Sequence, residues 1–168
     1  MSQLSDEFRT AFRHHPAGVA LITATVDDVP YGLTISSLAS LSIEPVAVSF
    51  SLAKESGAAG AVLAASSFVI HMLGEQQDEL ATNFARPGAP RFTPEQKFRI
   101  LPTGEPHFID APVAFRATLH SSVSVGGSRL IAAEVHEILH GLSEQHLLHQ
   151  NREYLRISEF LNASTSRQ

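Results

Sequence analysis

The chain predicts a mainly β domain with helical inserts, its strands closing into a barrel. Three observations carry that reading. Gly18–Val26 (GVALITATV) is an unbroken run of β-branched and small apolar residues ending at Asp27-Asp28, a turn pair. Val113–Val125 and Arg129–Leu139 alternate with period two on either side of Gly126-Gly127, as a long hairpin does. Helical stripes, by contrast, are few and short.

Taken in order, Ser5 is placed to cap a first helix, with Asp6 and Glu7 near its positive end. Phe8, Ala11 and Phe12 give that helix an apolar stripe, and His15-Pro16 ends it. The strand Gly18–Val26 pairs through Asp27-Asp28 with a second strand from Tyr31. Pro45–Leu52 reads as a third strand and Lys54–Leu63 as a short helix. Ser67–Leu73 is another strand, and Glu75–Arg86 is a helix with Leu80, Ala81 and Phe84 on one face, stopped by Pro87-Gly88. Residues 87–112 hold six prolines and are expected to be mostly irregular, a lid or edge. Arg152–Ile157 is a last short strand. One domain over residues 1–161 is expected, with 162–168 a disordered tail.

At 168 residues, 43% hydrophobic and 17% charged, the chain is long enough for one packed core. A net charge of -5, with 12 basic residues scattered, gives no general attraction to nucleic acid or to anionic membranes. No apolar stretch approaches the ~20 residues that span a bilayer. The first residues lack the basic start and apolar run of a signal peptide, so a cytoplasmic protein is expected. The absence of cysteine excludes disulfides, thiolate catalysis and cysteine metal sites.

The most informative segment is Tyr31–Pro45, which sets Thr34, Ser36, Ser37, Ser40 and Ser42 among small and aliphatic residues, with no charge until Glu44. Hydroxyls crowded on a strand and its turn suit a flat polar ligand whose edge carries several donors and acceptors. A competing pattern is His136-Glu-Ile-Leu-His140, which fits the zinc-peptidase spacing, with His146 where a third ligand would fall. Ser143 replaces the glycine which the extended pattern requires there, and the stretch follows a Gly-Gly turn as the partner strand of a hairpin. On a strand Glu137 faces away from both histidines, which lie ~13 Å apart, too far for one metal. No metal site is therefore expected. No paired carboxylates, nucleophile elbow, Walker A or Rossmann glycines are visible, and no side chain is expected to act as acid or base.

Several fragments in order resemble the flavin reductase-like family, the FMN-binding split barrels. They are Phe8-Arg9 with Pro16–Val19, Gly32–Ser37, Ser40–Pro45, Phe68–Leu73 with Gln76 and Leu80–Ala85, then Arg91-Phe92, Gly104–Pro106 and Ala133–Val135. The resemblance spans about Phe8 to Ile157. It implies a single-domain split β-barrel and a homodimer that binds FMN or FAD. NADH or NADPH would reduce the flavin, which often leaves for a partner monooxygenase. Thr34, Ile35, Ser36 and Ser37 would line the ring edge, and Ser51, Leu52, Ala53, Lys54 and Ser56 would hold the phosphate end. For Lys54–Ser56 an ordinary solvated helix start is the other reading. Phe84, Arg86, Arg91 and Phe92 border the irregular segment as a nicotinamide lid or, for the phenylalanines, as core. His71 stands where the family commonly has Asn, at a flavin contact or in the core. The late hairpin, which in many members carries Gly-Asp-His, here reads Gly126-Gly-Ser-Arg129, so a flavin- or other planar-cofactor-binding barrel without turnover stays open beside the reductase.

Overall fold

The computed structural model describes residues 2–53, 56–142, 145–159 and 161. Its elements are α1 (Gln3–His14), β1 (Ala17–Gly18), β2 (Ala20–Val26), β3 (Val29–Ile35), β4 (Ala39–Ile43), β5 (Val46–Leu52), α2 (Ala58–Ala64), β6 (Phe68–Met72), α3 (Asp78–Ala85), β7 (Phe98–Ile100), β8 (Pro106–Phe108), β9 (Val113–Val125), β10 (Ser128–His140), β11 (Leu147–Gln150) and β12 (Glu153–Arg156). Seven strands form one antiparallel sheet in the order β3-β2-β6-β9-β10-β5-β4. Two small sheets, β1-β11-β12 and β7-β8, lie against it.

Turn chemistry sets the registers. Asp27 and Asp28 both adopt positive φ (50° and 62°), the two-residue turn that matches strand twist, and Val26 pairs with Val29 across it. Asn151 and Arg152 (54° and 67°) do the same between β11 and β12. Gly126 (56°) turns β9 into β10. The long apolar run of β2 is explained by burial on both faces. Ala20, Ile22 and Ala24 point into the barrel with Phe50, Phe68, Ile70 and Ile131, while Val19 and Leu21 point outward to Leu80, Phe84, Phe108 and Leu147.

Four expectations need correction. The cap of α1 is Ser2, whose Oγ accepts from the Ser5 N–H at 3.3 Å. No residue of that helix is buried: Phe8 and Phe12 are 61% and 60% exposed, because α1 lies on the outside of the fold. The second helix begins at Ala58, since Gly57 at φ 61° and ψ -134° interrupts helical geometry before it. Residues 87–112 are also more ordered than their prolines suggest. Thr93 and Gln96 make a capping box for one 3-10 turn, and β7 and β8 form a hairpin packed by Phe92, Phe98 and Phe108. The strand β11 supplies the partner that β12 requires.

Two buried polar anchors fix that hairpin. His71 lies in the core with Nδ1 donating to the Leu21 carbonyl at 2.9 Å and Nε2 accepting from the Phe108 N–H at 3.0 Å. Burial pushes its pKa down to about 3, against the Leu21 bond and with help from the stacked His107 ring at 5.6 Å. Glu105, also buried, accepts from the hydroxyls of Ser67 and Thr103 and from Arg116 Nε at 2.9 Å. Burial raises its pKa, but those donors, its own N–H and the Arg116 charge outweigh burial and hold it below the usual carboxylate range.

Two predictions follow from this packing. A Cβ on Gly32 would meet the Phe84 ring at 2.5 Å, and that ring is confined by Phe92 and Phe108. Gly32→Ala should therefore cost about 1–3 kcal/mol in urea unfolding. The second concerns acid. Between pH 6.5, the ordinary histidine value, and about 3, the unfolded chain binds a proton at His71 that the folded chain refuses, so stability falls as pH drops through that window. His107, lowered by burial and Arg99 against Glu137, acts in the same sense. Thermal melts should fall from pH 7 to pH 5, above the range where protonation begins to remove the stabilisation from Glu105, and His71→Asn should flatten that slope.

Candidate functional site

The strands β3 and β4 occupy opposite edges of the seven-stranded sheet, yet only Ser36–Leu38 join them. Such a link spans about 14 Å at most, so the sheet must curl until its edges nearly meet. The connecting segment is held to β5 by a side chain, where the β4–β5 ladder (Ala39 opposite Ser49) has ended. Ser37 Oγ accepts from the Ser51 N–H at 2.9 Å and donates to the Ser51 carbonyl at 3.2 Å. The gap beside this stitch is a cleft of about 390 Å³. Thr34, Ile35, Ser36 and Ser37 form one wall, and Ser51, Leu52 and Ala53 the other. Val19, Leu33 and Ala85 add apolar surface, and His149 with Tyr154 closes the far side.

The hydroxyls do not all serve alike. Thr34 Oγ1 donates to the Ala81 carbonyl at 2.7 Å and ties β3 to α3. Ser37 is spent on the stitch. Ser36 and Ser51 are exposed at the rim, where a ligand edge can meet them, while Ile35 and Leu52 are buried beneath. Ser40 and Ser42 lie on β4, outside the cleft lining.

A second cleft of about 460 Å³ shares Leu33, Ala53 and Ala85 with the first. Ser56, Gly57 and the first turn of α2 line it, opposite Pro87 and Gly88. Lys54, expected at this end, lies outside the described residues. Phe84 and Arg91 also border it, in a way their expected ligand roles did not anticipate. Phe84 is buried against Phe92 and Phe108. Arg91 sits 5.5 Å from the centre of that ring and donates to three carbonyls, Asn83 at 3.2 Å, Gly32 at 3.2 Å and Arg86 at 3.0 Å. Both residues brace the wall. Arg86 is exposed and Phe92 belongs to the aromatic cluster.

Among the described residues no carboxylate lines either cleft. Among these described residues neither cleft pairs an acid with a base or a hydroxyl with a bonded imidazole, an arrangement suited to binding a flat, partly polar molecule. His71 is a core residue and lines neither cleft. Arg129, on the turn Gly126–Arg129, stands in register with Leu52 on β5.

The pattern His136–His140 falls on β10, as its hairpin setting predicts, and a bulge at His136 breaks the alternation there. His136 Nε2 meets Thr118 Oγ1 at 2.8 Å, and no group of three metal-ligating side chains exists among the described residues. The sequence reading missed His149 and Tyr154 in the main cleft. The signal available was one of only two tyrosines, two residues after a turn pair, on a strand whose partner had not been identified.

The profile of the flavin reductase like domain matches residues 12–158. The chain is 41% identical over 125 residues to an NADH:FMN oxidoreductase of Rhodococcus erythropolis, covering 74% of this chain and 65% of that relative's length. It is 44% identical over 86 residues to the reductase component of a 4-nitrophenol 4-monooxygenase/4-nitrocatechol 2-monooxygenase of Rhodococcus opacus, covering 51% of this chain and 46% of the relative. The crystal structure of a flavin reductase domain protein from Arthrobacter sp. FB24 superposes with a TM-score of 0.83 at 30% identity, over 90% of this chain and 94% of the other. With a split barrel, a cleft at its seam and this match over most of its length, the chain belongs to the flavin reductase-like family.

Proposed function

We propose that this protein is an NADH-dependent flavin reductase that binds FMN, with FAD as the alternative flavin, and supplies reduced flavin to a partner monooxygenase in the cytoplasm. The observation that carries the reading is the seam cleft, with apolar walls at Ile35 and Leu52, a hydroxyl rim at Ser36 and Ser51, and no carboxylate among its described lining residues. That donor set fits a tricyclic ring with a polar edge and a hydrophobic edge. When bound, flavin accepts a hydride from the reduced nicotinamide, a chemistry that belongs to the two cofactors.

The protein's own residues position and shield. The Ser37–Ser51 stitch fixes the width of the cleft, while Leu33, Ile35 and Leu52 exclude water from the ring. Ser36, Ser51 and the backbone of Ser36–Leu38, which enters no ladder, meet the ring edge. Ser56, which lines the second cleft, and Lys54 are assigned to the phosphate. NADH is favoured over NADPH as donor because the Rhodococcus erythropolis relative oxidises NADH; the monooxygenase partner rests likewise on the nitrophenol enzyme's reductase component. A homodimer would cover the apolar outer surface of the long hairpin, where Val123 and Leu130 pair across the strands at 59% and 50% exposure.

Anaerobic mixing of FMN-loaded protein with NADH, followed by flavin absorbance, tests the reading. Rapid saturable bleaching is expected with NADH. Bound flavin that stays oxidised with NADH and NADPH would favour the second reading, a flavin-binding barrel without turnover, and would direct attention to Gly126–Arg129. The site assignment is checked separately. Ser37→Ala with Lys54→Ala should weaken FMN binding by about 1 kcal/mol or more, at least fivefold in Kd by fluorescence titration, with the domain still folded by circular dichroism. An unchanged Kd would overturn the assignment.

A further inference from the structure

The first helix and the β11–β12 turn enclose a third cleft that the flavin reading leaves unused. The Asn151 N–H donates to the Arg13 carbonyl at 2.8 Å, and Gln150 Nε2 donates to the His14 carbonyl at 2.7 Å. These bonds fasten the C-terminal end of α1 to the turn. Between them lies a cleft of about 350 Å³, lined by Phe8, Phe12, Arg9, Arg13, Arg152 and His149. His149 is also a wall of the seam cleft, so the two are neighbours through one side chain.

The composition of this cleft is unusual for the chain. The protein carries a net charge of -5, yet three of its 12 basic residues converge here and no acidic residue lines the cleft. Arg9 lies 3.3 Å from Asp6, one turn earlier on the helix. The Phe8 and Phe12 rings, 4.6 Å apart and both mostly exposed, offer an aromatic surface beside the guanidinium groups. Guanidinium groups match the paired oxygens of a diphosphate, and exposed aromatic faces stack on purines.

We propose that this cleft binds the adenosine diphosphate half of a dinucleotide whose other half occupies the seam cleft. The inference rests on the flavin reductase reading for the identity of that other half. That dinucleotide is the reduced nicotinamide donor; FAD does not fit, because its diphosphate contains the flavin phosphate already assigned to Ser56 and Lys54.

The test starts without flavin. 5′-ADP titrated calorimetrically into the protein should bind, and Arg13→Gln with Arg152→Gln should weaken it at least tenfold. Both side chains are exposed, and Arg152 already holds its left-handed φ, so melting should not change. In turnover the double variant should raise the KM for NADH tenfold or more and leave that for reduced nicotinamide mononucleotide unchanged. FMN affinity should stay constant, and a Kd for FAD that rises while the KM for NADH does not would overturn the inference. No binding of ADP, or equal binding by parent and variant, overturns the inference. So does a change confined to oligomeric state, which would assign this surface to a second copy of the chain. Failure of FMN to bind would instead count against the flavin reading, and the ADP titration does not depend on it.

Discussion

The fold and the site both depend on one topological constraint: three residues must connect opposite edges of a seven-stranded sheet. A flat sheet of that width could not be bridged by Ser36–Leu38, so the sheet curls. Curling brings β3 beside β5 without a ladder between them, and Ser37, in the connection, carries the β4–β5 register one pair further with two side-chain hydrogen bonds to Ser51. The backbone left over at the seam faces a cleft instead of a neighbour. A fully closed barrel would bury that backbone in pairing, and an open sheet would leave it to water. The split geometry gives it a pocket.

The remaining anchors keep the seam in shape from behind. Phe84 packs directly on Gly32, and Arg91 reaches three carbonyls around the same point, one of them that of Gly32. Thr34 ties the same strand to α3 through Ala81. On the far side, His71 and Glu105 hold the β7–β8 hairpin with buried polar contacts, where a purely apolar hairpin of three-residue strands would have little to fix its position. Buried polar groups that are satisfied specify a unique arrangement, and these two do so at places where the chain has no long ladder to define its register.

Much of the barrel was legible because its signals are local. Asp27-Asp28 and Gly126-Gly127 declare their turns by backbone preference, and β9 and β10 by alternation. The His136–His140 pattern was legible as a strand for the same reason. What could not be read is set by contacts distant in sequence. The stripe on α1 looks like a core face, but nothing local says which side of the helix meets the fold. Phe84 and Arg91 line the second cleft, near the expected ligand, and only the tertiary contact with Gly32 reveals that they also brace its wall. The strand β11 is four residues long and has no turn before it that the sequence announces, so His149 and Tyr154 stayed out of the predicted site.

The absence of an acid–base pair among the described lining residues fits how the walls are held. A site that must move a proton needs a titratable group free to change its charge, and such a group must be supported without being locked. Here the polar side chains nearest the cleft are mostly committed to the scaffold. Thr34 bonds a helix, Ser37 bonds a strand, and Arg91 bonds three carbonyls. That commitment removes their freedom and sharpens the shape of the space between them. For a reaction in which two flat cofactors carry the electrons, a fixed gap of the right width is the contribution that matters most. The exposed hydroxyls of Ser36 and Ser51 then need only orient an edge.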